Sequence, residues 1–242
     1  MVIDALIIVA VTSFIQSIFG VGVLLFGTPL LLLRGYSFIN AVIILLPISI
    51  SINLIQIAKD YRSIDIGFYK KILIFTIPWV VIFLFFVTKV DVNISLIIGI
   101  FLLFVAAKDY SPKVDRAIKF LIGYEKIYLS LMGIIHGLTN LGGSLLTAII
   151  HGKGYEKHIT RVTVALSYAT FAVFQMLTLL ISGQNLGIKY SGVGVYVIVG
   201  VLIFLFTEKL VYMDIDNKNY SKYFSVFLFL SGAMLFVKSV SW

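Results

Sequence analysis

Eight runs of apolar residues, separated by short polar loops, most constrain what this chain can fold into. They cover residues 5–33, 39–58, 72–88, 92–107, 127–150, 163–181, 190–206 and 224–237. A membrane-spanning helix needs about 20 apolar residues. Because 60% of the residues are hydrophobic and only 12% are charged, a water-soluble surface is not available to the chain. We predict an all-α polytopic membrane protein with a single membrane domain over residues 1–242.

Several chemistries are excluded by what the sequence lacks. It has no cysteine, which excludes disulfides, thiolate metal sites and a cysteine nucleophile. We find no P-loop, dinucleotide-binding pattern or His-Glu-x-x-His motif. We therefore expect no enzymatic activity, no catalytic residue, no metal and no cofactor. Despite the net charge of +8, the basic residues lie between apolar runs, so we expect no nucleic-acid partner. The N-terminus lacks a basic region before its apolar run, so we expect it to be retained as a membrane segment.

The first and fifth runs are interrupted by glycine and align with each other. When the two runs are aligned at an offset of 120 residues, three positions correspond: Gln16 with His136, Gly20 with Asn140, and Gly22 with Gly142. After a gap of one residue, Gln56 corresponds to Gln175. Each copy is followed by three further apolar runs, so we predict two four-segment repeats, residues 1–120 and 121–242. Such internal repeats are common in transporters.

The distribution of basic residues predicts how the repeats are oriented. If all eight runs cross the membrane, the 19 Lys and Arg residues divide into 8 and 11, contrary to the positive-inside rule. If the first and fifth runs are re-entrant hairpins, 15 of the 19 lie on one face. The exceptions are then Arg34, Lys89, Lys189 and Lys238. Each repeat would have three crossings and one hairpin, and the two repeats would be inverted.

The alternative is that the first and fifth runs are long, tilted helices that cross fully. Tilts of up to about 40° occur in membrane helices, and glycine also serves close helix packing. In that case each run would leave the membrane on the face opposite to the one where it entered, and its glycines would serve helix packing.

In the hairpin arrangement, the two glycine-rich tips form a candidate substrate site. Each tip begins a new half-helix, whose N-terminal N–H groups and dipole favour an anion. The candidate substrate-binding residues are those of the tips and the polar residues that flank them in both repeats: Gly20, Val21, Gly22, Val23, Thr139, Asn140, Gly142, Gly143, Ser144, Gln56, Gln175, Gln16 and His136. For any one polar residue among them, a helix–helix hydrogen bond is the alternative interpretation.

Acidic residues are absent from the interior of the predicted segments. Intramembrane carboxylates commonly carry proton or Na⁺ coupling, so their absence argues against a cation transporter with an acidic site. His136 is the one deep side chain that titrates near physiological pH. The basic residues that follow the second hairpin, Arg161 among them, are expected at the cytoplasmic surface, either attracting anions or contacting lipid phosphates.

The two glycine-rich stretches resemble those of the sulfite exporter TauE/SafE family of membrane transporters. The first copy runs from Phe14 to Gly35, with Asn40-Ala41-Val42 after it, and the second from Met132 to Ser144. Val23 and Leu24 stand where family members commonly have glycine, so the chain resembles a divergent member. The resemblance implies transport of sulfur-containing anions such as sulfite, sulfonates or related organic anions.

Two hypotheses of different class follow. The first is a secondary permease in the plasma or inner membrane that moves a small, sulfur-containing anion by alternating access. Its partners would be that anion and the lipid bilayer, with homo-oligomers also possible. The second is a non-transporting membrane subunit or scaffold whose glycine stripes serve only helix packing.

Overall fold

The computed structural model describes residues 2–90, 92–107, 111–184, 192–211 and 217–240, and all regular secondary structure in these ranges is helical. The helices are α1 (Val2–Phe19), α2 (Val23–Leu33), α3 (Phe38–Asp60), a 3₁₀ turn (Tyr61–Ser63), α4 (Ile66–Phe75), α5 (Ile77–Lys89), α6 (Ile94–Ala107), α7 (Pro112–Gly123), α8 (Glu125–Thr139), α9 (Gly143–Gly152), α10 (Lys157–Ile181), α11 (Val193–Val211) and α12 (Asn217–Val240).

The helix boundaries follow from local chemistry. Ser37 caps α3 by accepting the N–H of Asn40, and Asp65 caps α4 by accepting the N–H of Phe68. The third apolar run divides into α4 and α5 at Thr76, where Pro78 in the first turn of α5 has no N–H to donate. The Thr76 hydroxyl donates to the carbonyl oxygen of Leu129 at 3.0 Å, which fixes this bend against α8.

Three helical stretches are long and apolar enough to cross a bilayer, namely 38–63, 66–89 and 158–181. Helices α6 and α7 are long and apolar enough only when they are taken together. They form a fourth stretch if the pair, which bends by 100°, is counted as one span. The apolar parts of α1, α2, α11 and α12 are shorter. The first and fifth runs are each divided into two helices, at residues 20–22 and 140–142, where the sequence is rich in glycine.

Helix α7 lies in a stretch that the sequence indicated only as a loop. Its charged residues Lys113, Arg116 and Lys119 are exposed, whereas Ile118 is buried. This amphipathic pattern is typical of a helix that lies along an interface rather than across a membrane. The seventh run also differs from its prediction, because α11 continues beyond Phe206 to Val211; its predicted start, Tyr190, lies outside the described residues.

Several helix contacts come in pairs that correspond under the two predicted repeats. Helix α1 packs on α11 and α8 packs on α5, while α3 contacts α11 and α10 contacts α5. Interchanging the two predicted repeats turns the α1–α11 contact into the α8–α5 contact. It likewise turns the α3–α11 contact into the α10–α5 contact. Helix α3 also packs on its counterpart α10, and α6 packs on its counterpart α12.

The core of the molecule surrounds α2, of which nearly every residue is buried. The outer helices instead expose large apolar side chains, including Ile82, Phe86, Leu202 and Phe206. An extensive apolar outer surface is what a protein in contact with lipid presents. The breaks at residues 20–22 and 140–142 lie inside this surface, and their residues with described side chains are buried.

Candidate functional site

The first break is held by Gln16, near the end of α1. Its Oε1 accepts the N–H of Val23 at 2.9 Å, and its Nε2 donates to Asn53 Oδ1 on α3 at 3.0 Å. A Cβ atom added to Gly22 would lie 2.6 Å from the nitrogen of Gln16 and 2.7 Å from the carbonyl oxygen of Thr12. Only glycine fits there, because the chain turns back against its own helix.

The second break has the same construction with different residues. His136 Nδ1 accepts the N–H of Gly142 at 3.2 Å, and its Nε2 lies 3.3 Å from Gln175 Oε1 on α10. With Nδ1 accepting, Nε2 carries the proton and donates to Gln175, so the imidazole is neutral in this arrangement. A Cβ atom on Gly142 would lie 2.6 Å from that of His136 and 3.0 Å from the carbonyl oxygen of Met132.

Matching residues in the two breaks adopt the left-handed backbone conformation. Gly20 has a φ of 74° and Asn140 a φ of 62°. Among non-glycine residues, asparagine is one of the few that adopt this region readily. The Asn140 side chain also donates from Nδ2 to Thr28 Oγ1 on α2 at 2.9 Å, so the second break lies directly against the first broken segment.

The two broken segments also close at their outer ends in the same way. At the first, Asp4 near the start of α1 pairs with Arg34 after α2, at 2.6 Å. At the second, Glu125 at the start of α8 pairs with Lys153 after α9, at 2.7 Å. The beginning and the end of each broken segment therefore lie side by side.

Several tip residues that the sequence proposed as ligands use their polar groups locally. Thr139 Oγ1 donates to the carbonyl oxygen of Ile135 at 2.6 Å, and Ser144 Oγ donates to that of Leu141 at 3.1 Å. The N–H groups of Val23 and Gly142 are occupied by Gln16 and His136. At each break, the side chain before it therefore already caps one N–H donor.

The two equivalent glutamines retain unused donors. Gln56 is 2% exposed and Gln175 is not exposed. Within the described residues, the Nε2 atom of each has no hydrogen-bond partner. Gln56 Nε2 lies 3.8 Å from where a Cβ atom on Gly20 would be. A buried amide without a partner costs about 1–3 kcal/mol, and a ligand with acceptor oxygens would recover it.

The surroundings of Gly143 differ from those of Gly20. A Cβ atom on Gly143 would overlap the hydroxyl of Tyr168, so that hydroxyl occupies the space beside the start of α9. Val21 and Val23 are buried apolar residues at the first break, where they contribute backbone and packing. At the second break the surrounding aromatic rings are those of Tyr168 and Phe171, which lies 4.7 Å from His136 between ring centroids.

A charged cluster at the first break was missed by the sequence interpretation. Arg161 Nη2 lies 2.6 Å from Glu208 Oε1, and Lys59 pairs with the other carboxylate oxygen. Arg161 Cγ lies 3.3 Å from the Cβ position of Gly20. The sequence placed Arg161 at the cytoplasmic surface and ended the seventh run at Phe206, so Glu208 appeared to be a loop residue. One further helical turn, which α11 has, brings it inside.

Other kinds of site have little support among the residues that the structure describes. No group of three or more His, Asp or Glu side chains there is placed to hold a metal ion. The first break instead combines the amide of Gln56, the guanidinium-bearing side chain of Arg161 and the backbone of Gly20, which suits an anion with several acceptor oxygens.

Comparison with known proteins identifies the family. No curated protein and no solved structure matches the chain. Residues 5–235 match the model of the family described as sulfite exporter TauE/SafE, and this match contains both broken segments and nearly the whole chain. The chain is therefore a multi-pass membrane transport protein that belongs to the sulfite exporter TauE/SafE family.

Proposed function

We propose that the protein is a secondary transporter for a small, sulfur-containing anion such as sulfite or a sulfonate, located in the plasma or inner membrane. The observation that carries this proposal is the pair of buried amide groups on Gln56 and Gln175, whose Nε2 donors have no partner in the described residues. They lie at equivalent positions of the two repeats. Each offers an unused donor to an oxyanion at its own break, because Gln175 lies about 21 Å along α10 from Arg161, which borders Gly20 together with Gln56.

The construction of the breaks supports alternating access around this site. The breaks have equivalent side-chain caps, and their outer ends have equivalent ion pairs. The contacts of α1 and α3 with α11 correspond to those of α8 and α10 with α5 when residues 1–120 and 121–242 are interchanged. In transporters built from inverted repeats, one repeat rocks against the other around the substrate site between them. We propose that the two re-entrant segments meet the substrate from opposite faces.

Transport by the purified protein tests this proposal. We expect proteoliposomes that contain it to take up radiolabelled sulfite or methanesulfonate. Gly143→Leu should reduce uptake by about tenfold or more, because a side chain there displaces Tyr168 and the start of α9 by about 1 Å or more. Gly194→Leu is the matched control, since a Cβ atom at this exposed glycine meets nothing within 4 Å. Equal uptake by both variants would contradict the proposed site.

Helix packing through glycine favours a second candidate, a non-transporting scaffold. A Cβ atom on Gly99 would lie 2.9 Å from the nitrogen of Phe236, and one on Gly232 would lie 2.9 Å from the Cβ of Leu102. These contacts join α6 to α12 and need no substrate. A protein that is inert to both anions in proteoliposomes, yet is always recovered with the same partner subunit, would support the scaffold.

A further inference from the structure

A cluster of three charged side chains joins three helices beside the first break. Lys59 comes from the end of α3, Arg161 from the start of α10 and Glu208 from the end of α11. Glu208 accepts from both cations, with Arg161 Nη2 at 2.6 Å from Oε1. The side chains of Arg161 and Glu208 are only 11% and 7% exposed, whereas that of Lys59 is 48% exposed. The Arg161–Glu208 pair is therefore largely removed from water.

The cluster borders the part of the candidate site that has an unused donor. The position of a Cβ atom on Gly20 would lie 3.3 Å from Arg161 Cγ and 3.8 Å from Gln56 Nε2. The side-chain stem of Arg161 and the unpartnered amide of Gln56 thus flank the same bare stretch of backbone. The guanidinium begins two bonds beyond Cγ, so a change of the Arg161 rotamer can turn it from Glu208 toward a ligand at Gly20.

The cluster distinguishes the first break from the second. At the first, Lys59 and Arg161 both pair with Glu208, beside the buried amide donor of Gln56. The second break has no equivalent, since the spacing that relates Gln56 to Gln175 places the buried Val42 opposite Arg161.

A carboxylate and a sulfonate present similar acceptor oxygens to a guanidinium. Both accept the paired, charge-assisted hydrogen bonds that arginine is shaped to donate. Glu208 is therefore a chemical equivalent of an oxyanion substrate, already attached to the protein and adjacent to Arg161.

We propose that Arg161 binds the transported anion at the first break and that Glu208 holds the guanidinium between turnovers, as a competitor that is part of the chain. This inference rests on the proposed function. When the anion arrives, Arg161 exchanges its carboxylate partner for the anion, and Lys59 keeps Glu208 paired. When Glu208 reclaims Arg161, the anion is released. Glu208 is thus a positioning residue that limits affinity and speeds release.

Glu208→Gln tests the competition, because it removes the carboxylate charge at nearly constant shape. We expect the Kd for methanesulfonate, measured by calorimetry on the purified protein, to fall by about tenfold, a size typical of coupling between two binding events. The maximal uptake rate in proteoliposomes should fall as well, since release slows. Asp115→Asn is the matched control for net charge, because it neutralises a carboxylate of the surface pair with Lys119 on α7; it should leave both quantities unchanged.

Two double variants separate the loss of the Glu208 carboxylate from a change in the net charge of the cluster. In Lys59→Gln/Glu208→Gln the net charge of the cluster stays as in the unmodified protein, while Arg161 still loses its competitor. We expect the same tightening of methanesulfonate binding. Arg161→Gln/Glu208→Gln keeps that charge too, and should lose binding by about tenfold or more.

The outcomes separate the two proposals. If the unmodified protein transports methanesulfonate or sulfite, and an unchanged or higher Kd is found in both variants that retain Arg161, the role of Glu208 is overturned and the transport proposal stands. If Arg161→Gln/Glu208→Gln binds as tightly as the unmodified protein, Arg161 is not the ligand. If the unmodified protein neither binds nor transports either anion, both proposals fall.

Discussion

Gln16 and His136 perform at the two breaks what a capping residue performs at the start of a helix. Each side chain accepts an N–H group from the far side of its break. An amide and a neutral imidazole fulfil the same task because each combines an acceptor atom with an N–H donor atom. Their second polar atoms are used on α3 and α10. We therefore propose that Gln16 and His136 position the tips, and that Gln56 and Gln175 donate to the substrate.

At the residue scale, Gln16 and Gln56 are expected to respond oppositely to the same replacement. Gln16→Met should destabilise the protein by about 1–3 kcal/mol, because the buried N–H of Val23 loses its acceptor. Gln56→Met removes a donor that has no partner. It also removes the long 3.5 Å bond from Gln16 Nε2, but that atom still donates to Asn53. Stability should therefore change little or rise, while methanesulfonate binds about tenfold more weakly. Thermal unfolding in detergent, with and without methanesulfonate, measures both. Equal destabilisation by both variants would contradict this assignment.

The sequence could predict part of the site, and the missing part has a physical reason. Gln56, Gln175 and the glycines follow from the repeat, because matching positions recur at a nearly constant spacing. Arg161 and Glu208 do not follow from it. They belong to different helices, and their contact depends on how far α11 continues beyond its apolar run, which hydropathy does not reveal. The local use of the Thr139 and Ser144 hydroxyls likewise depends on side-chain geometry.

At the scale of elements, the ion pairs at the ends of the broken segments matter for their position rather than their strength. The side chains of Arg34 and Asp4 are 58% and 32% exposed, and pairs this exposed contribute about 1 kcal/mol or less. Their geometry nevertheless requires that α1 begins where α2 ends, and the Glu125–Lys153 pair requires the same of α8 and α9. This geometry supports the hairpin interpretation against a straight, tilted helix.

The sequence predicts the breaks in the helices, but it does not predict every helix. Breaks at glycine-rich positions were visible in the sequence, because glycine weakens a helix and permits close backbone approach. Helix α7 was not, since its residues alternate between charged and apolar within a short, moderately polar stretch. Membrane-spanning runs are found by continuous hydropathy, and an interfacial helix lacks that property.

The junction between α3 and α4 supplies a pH-dependent contact to the second repeat. Burial alone would raise the pKa of Asp65, but hydrogen bonds from the Tyr155 hydroxyl and the Phe68 N–H, together with the charge of Lys153, outweigh it. The pKa of Asp65 therefore lies below its usual value of 3.8. Burial and the hydrogen bond to Asp65 likewise raise the pKa of Tyr155, so the carboxylate is the charged partner.

Tyr155→Phe is expected to lower stability by about 1 kcal/mol at neutral pH, because Asp65 loses a hydrogen bond to its charged form. Because folding lowers the pKa of Asp65, its carboxylate stabilises the folded state at pH values above the unfolded-state pKa. This contribution is lost as the pH falls through the folded-state pKa. The difference in unfolding free energy between the variant and the unmodified protein should therefore narrow below pH 3.8. Thermal unfolding at several pH values measures it, with the exposed Tyr124→Phe as the control. A difference that is constant with pH would contradict the role of Asp65.

At the scale of the whole molecule, the central contacts join the repeats through equivalent helices. Helix α3 packs on α10 and α6 packs on α12, while the contacts of α1 and α3 with α11 match those of α8 and α10 with α5. The sequence predicted two repeats from a few matched residues and from the 15 basic residues that hairpins would place on one face. Helix contacts agree with two equivalent halves. Their inversion concerns the membrane, and it stays a prediction.

Labelling of single cysteines tests that inversion, and the cysteine-free chain is suited to it. We expect Ser37→Cys, after the first broken segment, and Glu156→Cys, after the second, to react with an impermeant maleimide from opposite faces of the membrane. Both residues are exposed. If the first and fifth runs crossed fully, both cysteines would lie on the same face, and labelling of both from one side would therefore reject the inverted arrangement.

The length of α1 also determines where an anion would meet the membrane voltage. Its 18 residues extend about 27 Å, nearly the thickness of a hydrocarbon core of about 30 Å. If α1 enters from the outer face, the tip at Gly20 lies almost at the inner face. An anion that reaches this tip from outside has then crossed most of the transmembrane electric field. Moving one elementary charge across the whole field changes its energy by about 2.3 kcal/mol for each 100 mV of membrane potential. Arrival from outside would be driven or opposed by the voltage, whereas departure into the cytoplasm would hardly depend on it.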